Sequence, residues 1–140
     1  MSFLLDTSVI SELIRKTPHG PVLDWIDRQE EAALFLSVLT IGELEKGIAK
    51  LPASARKTKL QSWVRRDLVE RFGNRLLAID MRIAARWGAL AGESEKRGRP
   101  LPVIDSLLAA TALVHGLHVV TRDVGDFERC GVECADPWDA

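Results

Sequence analysis

Four acids stand where the surrounding residues give no packing reason for them. Asp105 lies in Leu101-Pro102-Val103-Ile104-Asp105-Ser106-Leu107-Leu108-Ala109-Ala110-Thr111-Ala112, a stretch otherwise small and apolar. Asp6 follows Phe3-Leu4-Leu5, Glu43 lies within Leu39-Thr40-Ile41-Gly42-Glu43-Leu44, and Asp123 follows Val119-Val120-Thr121-Arg122. Each falls at or just past a short apolar run, or early in the helix after one. In a parallel sheet such points share one edge. Carboxylates gathered there repel one another. A hard divalent cation, Mg2+ or alternatively Mn2+, would neutralise them. Oxygen ligands around such a cation suit metal-assisted phosphodiester hydrolysis.

Each acid also has a plainer reading. Asp6 is a good N-cap. Thr40-Ile41-Gly42-Glu43 fits a capping box, in which the glutamate bonds back to a backbone N–H. Asp105 would favour the dipole of its helix from the first turn. Asp123 suits an Asx-turn ahead of Gly125. What distinguishes them is the expectation that all four share one edge, Glu43 and Asp105 if their helices begin there, which independent caps need not do. Thr7, Ser8, Ser106 and Thr121 flank the acids, as caps or as partners of carboxylate or phosphate. Ser8, Thr121 and Arg122 are the candidates for touching substrate. His19, His115 and His118 show no metal-ligand spacing. Trp25, Trp63, Trp87 and Trp138 read as core or interface anchors.

The elements that position these residues alternate. Strands are predicted over Ser2–Leu5, Ala33–Leu36, Arg75–Ile79 and His118–Thr121, with a short fifth over Val132–Ala135. Helices are predicted over Val9–Arg15, from Gly20-Pro21 onward, and over Val38–Lys50, where Ile41, Leu44 and Ile48 recur at helical spacing. Others follow over Ala53–Phe72, from an Asp80 cap to about Arg97, and over Ile104–His115, closed by Gly116. Short strands alternating with helices indicate an α/β sandwich around a parallel sheet. Ligands of such sheets bind beyond the carboxyl ends of the strands.

The 140 residues suit one domain, 1–140. No apolar run reaches the ~20 residues of a membrane span, and no basic leader precedes the first strand, so a cytoplasmic protein is expected. Cys130 and Cys134 are too few for a disulfide framework or a four-ligand zinc site. The net charge of −1 conceals an uneven layout. Residues 46–75 hold nine Lys or Arg against two acids, and the flanking segments are acidic. Such a stretch suits a polyanion held beside a metal site, or simply a solvated helix face.

Taken together, the motifs Leu5-Asp6-Thr7-Ser8-Val9, Ser37-Val38-Leu39-Thr40-Ile41-Gly42-Glu43-Leu44 with Gly47, Ile104-Asp105-Ser106-Leu107-Leu108-Ala109-Ala110-Thr111-Ala112, and Val120-Thr121-Arg122-Asp123 with Asp126-Phe127 are specific. So is the ending from Gly131-Val132 to Pro137-Trp138. Over its whole length the chain resembles the PIN-domain ribonucleases, and among them the VapC-type toxins of toxin–antitoxin pairs. The resemblance implies a three-layer sandwich whose parallel sheet runs in the order 3-2-1-4-5, with helices on both faces. It implies that Asp6, Glu43, Asp105 and Asp123 form the acidic site, with Asp6 and Asp105 as metal ligands. Asp126 competes with Asp123 as the fourth acid. A magnesium-dependent cleavage of RNA, a homodimer and a small VapB-like antitoxin are also implied. Two rivals come from other classes: a non-catalytic binding module on the same scaffold, and a receiver-type phosphoacceptor domain.

Overall fold

The computed structural model describes residues 1–139; Ala140, the last residue of the predicted domain, lies outside the described residues. Five strands, β1 (Phe3–Leu5), β2 (Leu34–Ser37), β3 (Leu76–Leu77), β4 (His118–Val120) and β5 (Cys134–Ala135), form one sheet in the order β3-β2-β1-β4-β5. All four pairings are parallel, with Leu4 opposite both Phe35 and Val119. This is the order the resemblance implies. A receiver-type sheet runs 2-1-3-4-5, so that rival is excluded by topology.

Alternation along the strands builds two cores. Phe3, Leu5, Leu34, Leu36 and Val120 face one side. There they meet α1 (Thr7–Glu12), α2 (Gly20–Arg28), α3 (Val38–Ala49) and the segment Val64-Leu68-Phe72. Leu4 and Val119, with Phe35 beside them, face the other side. Their partners there come from α6 (Met81–Lys96), α7 (Val103–His115) and α8 (Val124–Glu128), through Leu90, Leu108, Ala109, Ala112 and Phe127. A period of two in the strands thus yields three layers. Among the described residues no helix is long and apolar enough to cross a membrane.

Several boundaries differ from expectation. The first helix starts at Thr7, not Val9, because Asp6 caps it by accepting the Thr7 N–H. The predicted helix Ala53–Phe72 becomes α4 (Ala55–Ser62), a wide π-helical stretch over Trp63–Leu68, and α5 (Val69–Phe72). Leu60, Val64, Leu68 and Phe72 recur every four residues. In a regular α-helix that row drifts about 40° per step, and the wider turn cancels part of the drift, so Val64, Leu68 and Phe72 all stay buried. The third strand shrinks to Leu76–Leu77. Asp80 caps α6 as expected, its Oδ1 accepting the Ile83 N–H at 3.0 Å. Gly116 closes α7 in the left-handed region at φ 66°, where a side chain would be strained. The short helix α8 was not anticipated.

Phe127 is the fully buried residue of α8, and α8 carries the segment after Asp123. Phe127→Ala is expected to cost about 3–5 kcal/mol, read as a lower urea midpoint at unchanged slope. A loss under 1 kcal/mol would show that α8 is not anchored by this ring.

Candidate active site

The acidic pocket forms where three strands end. β1 delivers Asp6 directly. Its backbone N–H donates to the Val120 carbonyl at 3.0 Å, so the end of β1 is tied to β4. Its side chain is 6% exposed and accepts three bonds: Thr7 N–H on Oδ1 at 2.7 Å, Ser8 Oγ on Oδ2 at 3.1 Å and Thr121 Oγ1 on Oδ2 at 2.8 Å. A carboxylate offers about four acceptor positions, so room for one more contact remains. Burial pushes the Asp6 carboxyl above its ordinary range, against the pull of these bonds; the charge of Glu43 adds to the rise.

Glu43 stands in the second turn of α3. The N-cap of that helix is Ser37, whose Oγ accepts the Leu39 N–H at 3.0 Å, so the capping box at Thr40–Glu43 does not form. Instead Thr7 Oγ1 donates to Glu43 Oε1 at 2.5 Å and lies 3.2 Å from Thr40 Oγ1. The residue after Asp6 thereby fixes Glu43 from across the pocket.

Asp105 sits in the first turn of α7, partly buried, and its carboxylate accepts no hydrogen bond among the described residues. Its carboxyl is pushed up to about 6, first by burial and then by the charges of Asp6, Asp126, Asp123 and Glu43. Residues from three other stretches of sequence therefore act on one carboxyl. Among the described residues no Lys, Arg or His pairs with Asp6, Glu43, Asp105 or Asp123.

The pattern matches a known family. A PIN-domain model fits residues 3–132. This chain belongs to the PIN-domain family. Plasmid stability protein StbB of Pseudomonas syringae pv. tomato is 41% identical over 98% of this chain and 99% of its own length. VapC ribonuclease Y4jK of Sinorhizobium fredii is 36% identical over 97% of each. The crystal structure of FitAcB from Neisseria gonorrhoeae superposes with a TM-score of 0.92 at 33% identity, covering 99% of both chains.

The other expected residues of the PIN domain fall as follows. Asp123 is exposed, at the N-cap of α8, and its side chain makes no cap bond, so the Asx-turn reading fails. Asp126, one turn on, meets Arg129 at 3.4 Å. Ser8 and Thr121, expected at substrate, turn their hydroxyls to Asp6, and Thr121 is fully buried. Arg122 is exposed and stacks 5.5 Å over the Trp138 ring. Ser106 donates to the Val103 carbonyl and accepts Trp87 Nε1–H, both at 2.9 Å, which pins the turn that carries Asp105. Both cysteines are free, and burial pushes their thiols up, Cys134 to about 11.

Lys46 and Lys50, from the basic stretch 46–75, line a groove of about 520 Å³ with Glu43 and Ile104. One contribution escaped the sequence reading. Buried Glu12 accepts His19 N–H at 2.8 Å and Arg15 Nη1 at 2.9 Å, tying down the loop after α1. Burial pushes its carboxyl up, but those bonds outweigh it and the net shift is downward.

Among the described residues no three His, Cys, Asp or Glu side chains enclose a metal by themselves. Magnesium does not need them to, since one or two carboxylates plus waters and substrate phosphates complete its shell. All-oxygen donors with an uncompensated field fit that chemistry.

Folded Asp105 binds its proton more tightly than the unfolded chain does. Its ionisation therefore costs stability as pH rises from about 4 through about 6. In EDTA at pH 7.5, Asp105→Asn should melt at the parent's temperature or slightly above it, and any gain should vanish towards pH 4. A melting point many degrees lower would make Asp105 a structural residue.

Proposed function

We propose that this chain is a magnesium-dependent endoribonuclease, the toxin of a toxin–antitoxin pair, with residues 1–140 as its single domain. The observation that carries the reading is the field at Asp105: four other acids bear on it, and among the described residues no basic side chain pairs with Asp6, Glu43, Asp105 or Asp123. The name ribonuclease borne by the 36% identical relative supports the same chemistry.

Asp6 and Asp105 are the residues that would hold Mg2+, with Mn2+ as a substitute. Bound there, the ion supplies polarisation of the scissile phosphate and a more acidic water. Glu43, held by Thr7, would orient the attacking water and take its proton. Asp123 stands as the fourth acid, because it is free of the pairing that engages Asp126 with Arg129. Ser8 and Thr121 act at one remove from substrate, by holding Asp6 Oδ2. Lys46 and Lys50 flank the pocket for RNA phosphates, and exposed Arg122 is available to substrate. Attack in line would leave a 5′-phosphate and a 3′-hydroxyl.

A VapB-like antitoxin would silence the site by covering it. A homodimer is supported by α6, whose outer side carries exposed Ala85, Ala89 and Gly92, small enough for close approach of a second helix. RNA as substrate places its work in the cytoplasm.

The test is RNA cleavage by protein purified free of any antitoxin. The parent should cut with Mg2+ and stop in EDTA. Asp6→Asn and Asp105→Asn should each lose at least on the order of 100-fold in rate, the scale of removing several kcal/mol of charge stabilisation, while circular dichroism stays unchanged. Full activity in either variant ends the proposal. A folded parent that binds RNA without cutting it favours the binding-module alternative.

A further inference from the structure

A second charged concavity lies beside the acidic pocket. A cavity of about 360 Å³ is lined by Ser94, Arg97, Arg99, Leu101 and Arg129. Arg97 and Arg99 come from the end of α6 and the loop after it; Arg129 follows α8. Arg97 and Arg99 pair with no acid among the described residues, and Arg129 pairs with Asp126 at 3.4 Å. Three guanidiniums around one hollow repel each other, and an anion would relieve that. Their planar donor forks match phosphate oxygens.

Sheet order gives the hollow its meaning. Glu43, Lys46 and Lys50 follow β2, Asp6 follows β1, and Asp126 and Arg129 follow β4. Since β1 lies between β2 and β4, the lysines and Arg129 follow the strands on either side of the one that delivers Asp6. Leu101, in the wall of the hollow, is four residues from Asp105, and the charge of Asp126, the partner of Arg129, acts on Asp105. Much of the basic stretch 46–75 is otherwise engaged. Arg71 and Arg75 bond Glu31, Arg65 bonds Glu45 and Lys57 bonds the Leu51 carbonyl.

We propose that Arg97, Arg99 and Arg129 form a phosphate subsite that holds the RNA backbone beside the acidic pocket. The inference rests on the ribonuclease reading, which places a phosphodiester at Asp105 and so brings its neighbouring phosphates into the flanking hollows. An acidic peptide has no such reason to cross a cluster of carboxylates.

The test compares the parent with Arg97→Ala/Arg99→Ala, using Arg82→Ala/Arg86→Ala as an equal charge change elsewhere on α6. Binding of a fluorescein-labelled 12-nucleotide single-stranded RNA is measured in EDTA across a salt series, and cleavage kinetics in Mg2+. The first variant should bind about tenfold more weakly, and its salt slope should fall by about 1.4, as two lost contacts to a single strand predict. KM should rise by a similar factor with kcat within about twofold. The control should stay near the parent. Equal behaviour of the two variants, with an active parent, overturns the subsite and leaves the ribonuclease reading standing. A parent that neither binds nor cuts RNA overturns both. Unchanged RNA affinity with lost binding of inorganic phosphate or of a polyglutamate peptide would reassign the hollow and overturn the proposal.

Discussion

Asp6, Glu43, Asp105, Asp123 and Asp126 repel one another, and the fold holds them together regardless. Three of the five have partners that oppose this. Asp6 is gripped by three donors, Glu43 accepts the Thr7 hydroxyl, and Asp126 has Arg129. The Asp105 carboxylate has no such partner among the described residues, and burial first, then the charges of its neighbours, push it up to about 6. A structure that keeps such a group in place stores unfavourable electrostatics at one spot, which is the usual mark of a functional site.

The means of holding it are ordinary packing. Fully buried Leu4 on one face and Leu36 on the other fix the strands whose ends deliver or lead into the acids. Small side chains then couple neighbouring elements across the pocket. Thr7 ties the start of α1 to Glu43 on α3, Thr121 ties β4's exit to Asp6, and Trp87 on α6 steadies Ser106 beside Asp105. Each hydrogen bond is worth on the order of 1 kcal/mol net. Their larger effect is directional, because they set where each carboxylate points.

Much of this was legible in sequence because acids stand where packing gives no reason for them, Asp6 at the end of a buried strand and Asp105 early in an apolar helix. Each alone also reads as a cap, and the expectation that they share one edge is what singled them out. Strand order was not legible from periodicity, which gives parallel pairing but no neighbours; it came from family resemblance. The capping box at Thr40–Glu43 misled because its local pattern is sound. The strand before it runs one residue further, to Ser37, and Ser37 takes the cap. Helix α8 has five residues, too few for a period to show. The arginine hollow was hidden by averaging: Arg97, Arg99 and Arg129 belong to a segment whose acids outnumber its bases, and only tertiary structure separates the two signs.

The central claim is that carboxylates distant in sequence jointly hold a divalent ion. Titration of metal-stripped protein with Mn2+, followed by electron paramagnetic resonance, tests it without reference to any substrate. The parent should bind saturably, and Asp105→Asn should bind at least about tenfold more weakly while remaining folded. No saturable binding by the parent, or equal binding by the variant, would contradict the account.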